Sequence, residues 1–141
     1  MNNLKNALYA GSFNPIHEGH ISILKKACEI FNTVYVLVSQ NPDKEKNDII
    51  KNINDVIKKT ANLKNIKVLT GFQGQLTALV AKQLNIKYLI RSARNNFDYQ
   101  FEIDLASGNK ILNPELETIL IIPDNEYLKY SSSLTKSMKG K

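Results

Sequence analysis

Gly11-Ser12-Phe13-Asn14-Pro15-Ile16-His17-Glu18-Gly19-His20 is the stretch from which the rest of the chain is read. It follows the apolar run Ala7-Leu8-Tyr9-Ala10 and precedes a helical stripe, and it holds the chain's only two histidines. The pattern predicts a short buried strand ending at Ala10, a sharp turn through two glycines and a proline, and a helix opening near Gly19. Such a junction is a phosphate site in outline. Glycine lets a ligand approach the main chain, and the first helical N–H groups point outward unpaired. Their dipoles favour an anion by roughly 0.3–1 kcal/mol, more when partly buried. Histidines at i and i+3 share a helix face and both face that anion. Two histidines and one carboxylate are also zinc ligands, but no further histidine or suitably placed cysteine completes a set, so no metal site is expected.

Working outward, strand and helix patterns alternate to the end of the chain. Ile21, Ile23, Leu24, Ala27, Cys28 and Phe31 form a helical stripe ending near Asn32. Thr33-Val34-Tyr35-Val36-Leu37-Val38 reads as a strand buried on both faces. A second helix carries Ile49, Ile50, Ile53, Val56 and Ile57; Ile66-Lys67-Val68-Leu69 is the third strand; Leu76, Leu79, Val80 and Leu84 mark the third helix. Lys87-Tyr88-Leu89-Ile90 is the fourth strand, followed by a helix from Phe97 to Leu112 with an irregularity at Gly108 and Pro114 as its stop. Thr118-Ile119-Leu120-Ile121-Ile122 is the fifth strand, and Ser131 caps a final short helix. The expected architecture is α/β: a Rossmann-like, doubly wound, parallel five-stranded sheet with helices on both faces, one domain over residues 1–141. Ligands bind such sheets beyond the carboxyl ends of the strands, at the reversal of strand order. The segments 11–20, 39–44, 71–76, 91–94 and 124–133 each follow a strand and are expected to ring one cleft.

Composition narrows the function. At 141 residues and 43% apolar content the chain is long enough for one sizeable core. It has no apolar run near the roughly 20 residues of a membrane span. The polar start, with no signal-peptide pattern, and the single cysteine, Cys28, are read as a cytoplasmic protein with a buried thiol. The net charge of +6 is spread along the chain without interleaved aromatics, which argues against nucleic acid and for a surface that draws in small anions. No G-K-[ST] loop or G-x-S-x-G elbow occurs, so neither a P-loop nor a serine nucleophile is expected.

Further candidates sit on the post-strand segments. Arg91 and Arg94 are the only arginines, three residues apart, and suit bidentate phosphate recognition. Arg91 should emerge at the ligand edge of an apolar strand, where a charge lacking an anion is costly. Arg94 has a second reading, an ion pair with Asp98 or Glu102. Lys44 follows the second strand in Asn41-Pro42-Asp43-Lys44, and Ser131-Ser132-Ser133 forms a second anion nest at a helix start. Two nests with lysine and arginine suit a triphosphate.

The decapeptide resembles the H-x-G-H signature of the nucleotidyltransferase superfamily, which holds a nucleotide's α-phosphate. Leu89-Ile90-Arg91-Ser92-Ala93-Arg94 resembles the I-R-G-L-R segment of one branch, the bacterial phosphopantetheine adenylyltransferases. Asp98-Tyr99-Gln100-Phe101-Glu102 with Leu105-Ala106 and Asn109 resembles D-F-E-Y-E with L-A-x-x-N, and Pro114-Glu115-Leu116-Glu117-Thr118 and Tyr130-Ser131-Ser132-Ser133 resemble P-E-L-E-T and I-S-S-S. The resemblance implies direct in-line transfer of AMP from ATP to 4'-phosphopantetheine, giving dephospho-coenzyme A and pyrophosphate, with Mg2+ on the phosphates. It implies His20 as the catalytic group that stabilises the transition state, with Lys44 and Arg91 beside it. Ser12, Lys44, Leu76, Arg91 and Asn109 would meet phosphopantetheine. Ser12, Phe13, His17, His20, Ser92, Ala93, Arg94, Glu102, Tyr127, Leu128, Lys129, Tyr130, Ser131, Ser132 and Ser133 would line the ATP site. It further implies a homo-oligomer, a hexamer in the family, and binding of dephospho-coenzyme A or coenzyme A. His17 stands where this branch usually has threonine and resembles the relatives that act on nicotinate mononucleotide or transfer cytidylyl groups. The alternatives are therefore a different phosphate acceptor, or a nucleotide- or coenzyme-A-binding module without turnover.

Overall fold

The computed structural model describes residues 4–39, 46–72, 74–124 and 126. Five parallel strands form one sheet in the order β3-β2-β1-β4-β5. They are β1 (Asn6–Gly11), β2 (Thr33–Val38), β3 (Ile66–Leu69), β4 (Tyr88–Arg91) and β5 (Glu117–Leu120). The helices between them are α1 (Glu18–Ile30), α2 (Lys46–Lys59), α3 (Thr77–Gln83) and α4 (Asn96–Leu112). The fold is the expected doubly wound α/β sheet. Several boundaries differ from the sequence reading: β4 extends through Arg91, β5 spans Glu117–Leu120 rather than Thr118–Ile122, and α4 runs through Gly108 without a break. Gly108 is not among the positive-φ glycines, so it continues the helix like its neighbours. The final helix expected at Ser131 lies outside the described residues.

The alternation of side chains along the central strands divides the core. Ala7 and Tyr9 of β1 and Val34, Val36 and Val38 of β2 face α1 and α2, packing on Ile21, Leu24, Ala27 and Val56. Leu8, Ala10, Leu37 and Leu89 face the other way, onto Ala78, Val80 and Ala81 of α3. Residues at i and i+2 of a strand share a face, so β1 and β2 are apolar on both sides, as their nearly continuous runs required. α4 sits beside α3, where the Asn113 amide donates to the Ala78 carbonyl across 3.1 Å. The chain winds outward from β1 through β2 to β3, then returns to β4 and β5 on the opposite side of β1. The sheet therefore changes direction between β1 and β4, the position at which parallel sheets open a crevice at their carboxyl ends.

Candidate active site

The loop from Gly11 to His17 is held from below and from the side. Phe13 takes φ 45, a left-handed conformation uncommon for a residue with a Cβ, and its ring is buried under the loop at 2% exposure. That ring packs edge-on against Tyr9 at 5.5 Å and against His20 at 5.0 Å. Gly11 leaves the room it occupies, since a Cβ there would lie 3.2 Å from the Phe13 ring. From α2, the Lys59 ammonium donates to the Ile16 carbonyl at 3.2 Å and the Asn52 amide to the Ser12 carbonyl at 3.4 Å.

The two histidines cap α1 reciprocally. His17 is the N-cap and its Nδ1 accepts from the Gly19 N–H at 3.1 Å; His20 Nδ1 accepts from the His17 N–H, also at 3.1 Å. Two otherwise orphaned helix donors are thereby satisfied, as in a capping box built from imidazoles. The rings stack with centroids 3.8 Å apart. Burial, reinforced by the neighbouring His17, lowers the His20 pKa to about 4. His20 is thus a neutral ring at physiological pH. With Nδ1 accepting from the backbone, its proton resides on Nε2, which makes that edge a hydrogen-bond donor.

His17, Gly19 and His20 open onto a cavity of about 760 Å³, whose other walls include Tyr9 and Ile23, Ser92 and Arg94 after β4, Asp98, Phe101 and Glu102 of α4, and Pro123 after β5. It straddles β1, β4 and β5, and its size suits a nucleotide-sized ligand. Burial raises the Tyr9 pKa to about 12 despite the opposing pull of Arg91, so the phenol stays protonated.

Arg91 departs from expectation. Its guanidinium is not awaiting an anion: Nε and Nη2 donate to the two oxygens of Glu102 at 2.7 and 2.9 Å, and Nη1 donates to the Ala10 carbonyl at 3.4 Å. Glu102 is buried at 5% exposure, and a buried carboxylate demands such a partner. The pair ties α4 to the ends of β4 and β1, at the reversal of strand order. Arg94 takes the ion-pair reading, with Nε and its own N–H each 3.2 Å from Asp98 Oδ2.

The expected ring of segments is divided by the sheet. The loops after β1, β4 and β5 converge on the cavity, whereas Leu76, exposed at the start of α3, follows the edge strand β3 and is not among the cavity's residues. Asn109 lies two turns beyond Glu102 on α4, about 10 Å along the helix axis. Phe13 and Ala93 are buried at 2% and 6% exposure and are not among the cavity's lining residues. Ser12 is exposed on the loop, and Ser92 lines the cavity. Lys44, Tyr127, Leu128, Lys129, Tyr130, Ser131, Ser132 and Ser133 lie outside the described residues. Tyr9, Phe101 and Pro123 join the site without having been anticipated. Tyr9 had one available signal, a hydroxyl in an otherwise apolar strand that runs into the motif. Among the described residues no cluster of three or more metal-ligating side chains occurs, and no helix is long and apolar enough to cross a membrane.

The sequence and the fold are matched by known proteins. The cytidylyltransferase-like family model matches residues 8–138. A phosphopantetheine adenylyltransferase of Mycoplasma mycoides subsp. mycoides SC is 36% identical over 140 residues, covering 96% of this chain and 97% of that one. Another, from Wigglesworthia glossinidia brevipalpis, is 38% identical over 135 residues, covering 95% and 79%. Among solved structures, a protein assigned as a nicotinate-nucleotide adenylyltransferase from Vibrio parahaemolyticus superposes with a TM-score of 0.60 at 14% identity, over 86% of this chain and 75% of that one. The last likeness concerns the fold. The chain belongs to the cytidylyltransferase-like family and, within it, to the phosphopantetheine adenylyltransferases.

Proposed function

We propose that this chain transfers AMP from ATP to 4'-phosphopantetheine, forming dephospho-coenzyme A and pyrophosphate. The observation that carries the reading is the neutral His20, held by the His17 N–H in the wall of a nucleotide-sized cavity. The acceptor's phosphate oxygen attacks the α-phosphorus in line, the bond to the bridging oxygen of the β-phosphate breaks, and pyrophosphate leaves with the electron pair. No covalent enzyme intermediate forms. Negative charge grows on the α-phosphate oxygens during this exchange, and the preorganised His20 Nε2–H donates to it without moving. The N-terminus of α1 adds its dipole at the same place.

The remaining groups position the reactants. His17, Ser92, Arg94 and Glu102 line the cavity and are assigned to the nucleotide; Ser12, Phe13, Ala93 and residues 127–133 are assigned to it on the resemblance alone. The acceptor is assigned, on the resemblance alone, to Ser12, Lys44, Leu76, Arg91 and Asn109; none of the described residues among these lines the cavity, and Arg91 reaches a phosphate only by sharing its guanidinium with Glu102. Mg2+ would enter as the counter-ion of the triphosphate, a role that asks for few protein ligands. We further assign the chain to the cytoplasm and to a homo-oligomer, a hexamer, that also binds dephospho-coenzyme A or coenzyme A. Exposed apolar groups on α4, Phe97 at 84% and Ile111 at 81%, favour assembly.

An acceptor panel tests this. With ATP and Mg2+, pyrophosphate should appear with 4'-phosphopantetheine and fall to background with nicotinate mononucleotide. Pyrophosphate with nicotinate mononucleotide alone would reject the assigned acceptor, and none with either would reject turnover.

A further inference from the structure

The segment leaving β5 is fastened to the helix that carries His20, across about a hundred residues of sequence. Ile121 N–H still donates to the Arg91 carbonyl at 2.9 Å, as a strand residue would. Beyond it, the bonds among the described residues come from α1. Lys26 Nζ donates to the Ile122 carbonyl at 2.7 Å and meets Asp124 Oδ1 at 2.7 Å, while Ser22 Oγ donates to Asp124 Oδ2 at 3.0 Å. Ser22 and Lys26 are i and i+4 on one face of α1, and Ser22 is two residues past His20. Pro123, between the two fastened residues, is a wall of the cavity that His17 and His20 also line.

One bond to the Ile122 carbonyl and two to the Asp124 carboxylate hold the chain on either side of Pro123. The Lys26 and Asp124 side chains are 35% and 54% exposed, so their pairing contributes little to global stability. The bonds from Lys26 and Ser22 hold the Asp124 carboxyl below its usual range. A contact that adds little to global stability yet joins two sides of a cavity acts locally.

We propose that Ser22, Lys26 and Asp124 form a positioning clasp that sets nucleotide affinity by fixing the stretch around Pro123 as a wall of the cavity that His20 also lines. The inference rests on the nucleotide reading of the site. None of the three groups touches reacting atoms; they act through the backbone they hold. The clasp differs from a charge effect in sign. If Lys26 merely attracted the triphosphate and Asp124 merely repelled it, Lys26→Met would weaken ATP binding and Asp124→Asn would strengthen it. In the clasp each loss frees the same segment, so both weaken binding, and the double variant is no worse than either single one.

Isothermal titration of Mg-ATP into the full chain and its variants distinguishes these outcomes. Lys26→Met and Asp124→Asn should each raise Kd about 5- to 10-fold, Lys26→Met/Asp124→Asn should match them, and Lys26→Arg should stay within about twofold of the unaltered chain. At saturating ATP, kcat and its pH profile should be unchanged, and thermal melts should confirm folding. Opposite shifts, additive shifts or unchanged Kd in all variants would overturn the clasp while leaving the nucleotide reading intact. An unaltered chain that does not bind ATP would overturn both.

Discussion

Glu102→Gln isolates the ion pair at the reversal of the sheet. The substitution keeps side-chain volume but replaces a carboxylate that accepts two guanidinium bonds, at 2.7 and 2.9 Å, with an amide that presents its own N–H groups to one of them. Removing one partner of a fully buried pair costs about 3–5 kcal/mol, because the other charge is left without compensation. Here the Arg91 side chain is 26% exposed against 6% for Glu102, so water reaches the orphaned cation. The Ala10 carbonyl also continues to accept from it. The loss should therefore be about 2–3 kcal/mol after that allowance. For a chain of this size that corresponds to a melting point lowered by roughly 6–12 °C. Urea unfolding gives the free energy directly, with the m-value expected to hold if both states keep their compactness. The double variant Arg91→Met/Glu102→Leu removes both charges and should regain at least half of the loss. A single variant within about 0.5 kcal/mol of the unaltered chain would refute the reasoning, as would a double variant whose loss is the sum of the singles.

Two further outcomes follow from the loop and its histidines. Gly11→Ala puts a Cβ 3.2 Å from the Phe13 ring, which supports His20; stability should fall by about 1–2 kcal/mol and turnover with it, as urea unfolding and an initial-rate assay would show. The pH dependence has a definite sign, because the His20 pKa is lowered to about 4 while the unfolded imidazole titrates near 6.5. Between those values the unfolded chain binds a proton that the native chain refuses. The contribution to stability is thus complete above about pH 6.5 and is lost as pH falls toward 4. Discounted for the partial exposure of the ring, it amounts to roughly 1–2 kcal/mol. Turnover should be flat from about pH 6 to 8 where His20 is concerned and should drop only toward pH 4. A kcat that rises as pH falls through 6.5 would show that the donor is an imidazolium.

The parts of this molecule that are local in sequence were legible there. Apolar runs through β1 and β2 announced strands buried on both faces, and Gly11, Pro15 and Gly19 with His17 and His20 announced the turn and helix start. The parts made by contacts between distant segments were not. Nothing in the spacing of Arg91 and Glu102 revealed a bidentate pair, since one ends a strand and the other lies in the second turn of a helix. The same holds for Lys59 on Ile16 and Lys26 on Ile122, where a lysine reaches a main-chain carbonyl that carries no sequence signal. The rule that post-strand loops gather at one cleft was too generous, because it ignored strand order. With β3 at the edge, Leu76 is not among the residues that line the cavity astride β1, β4 and β5.

The account turns on a neutral imidazole donating to charge that appears only during transfer. The direct measurement is pyrophosphate release from ATP and 4'-phosphopantetheine by the unaltered chain and by His20→Ala, with ATP affinity determined alongside. The expected result is a fall in kcat of about 100- to 1000-fold with the ATP Kd changed only a few-fold. A variant that turns over within about threefold of the unaltered chain, or one whose loss lies wholly in ATP affinity, would contradict the assigned role.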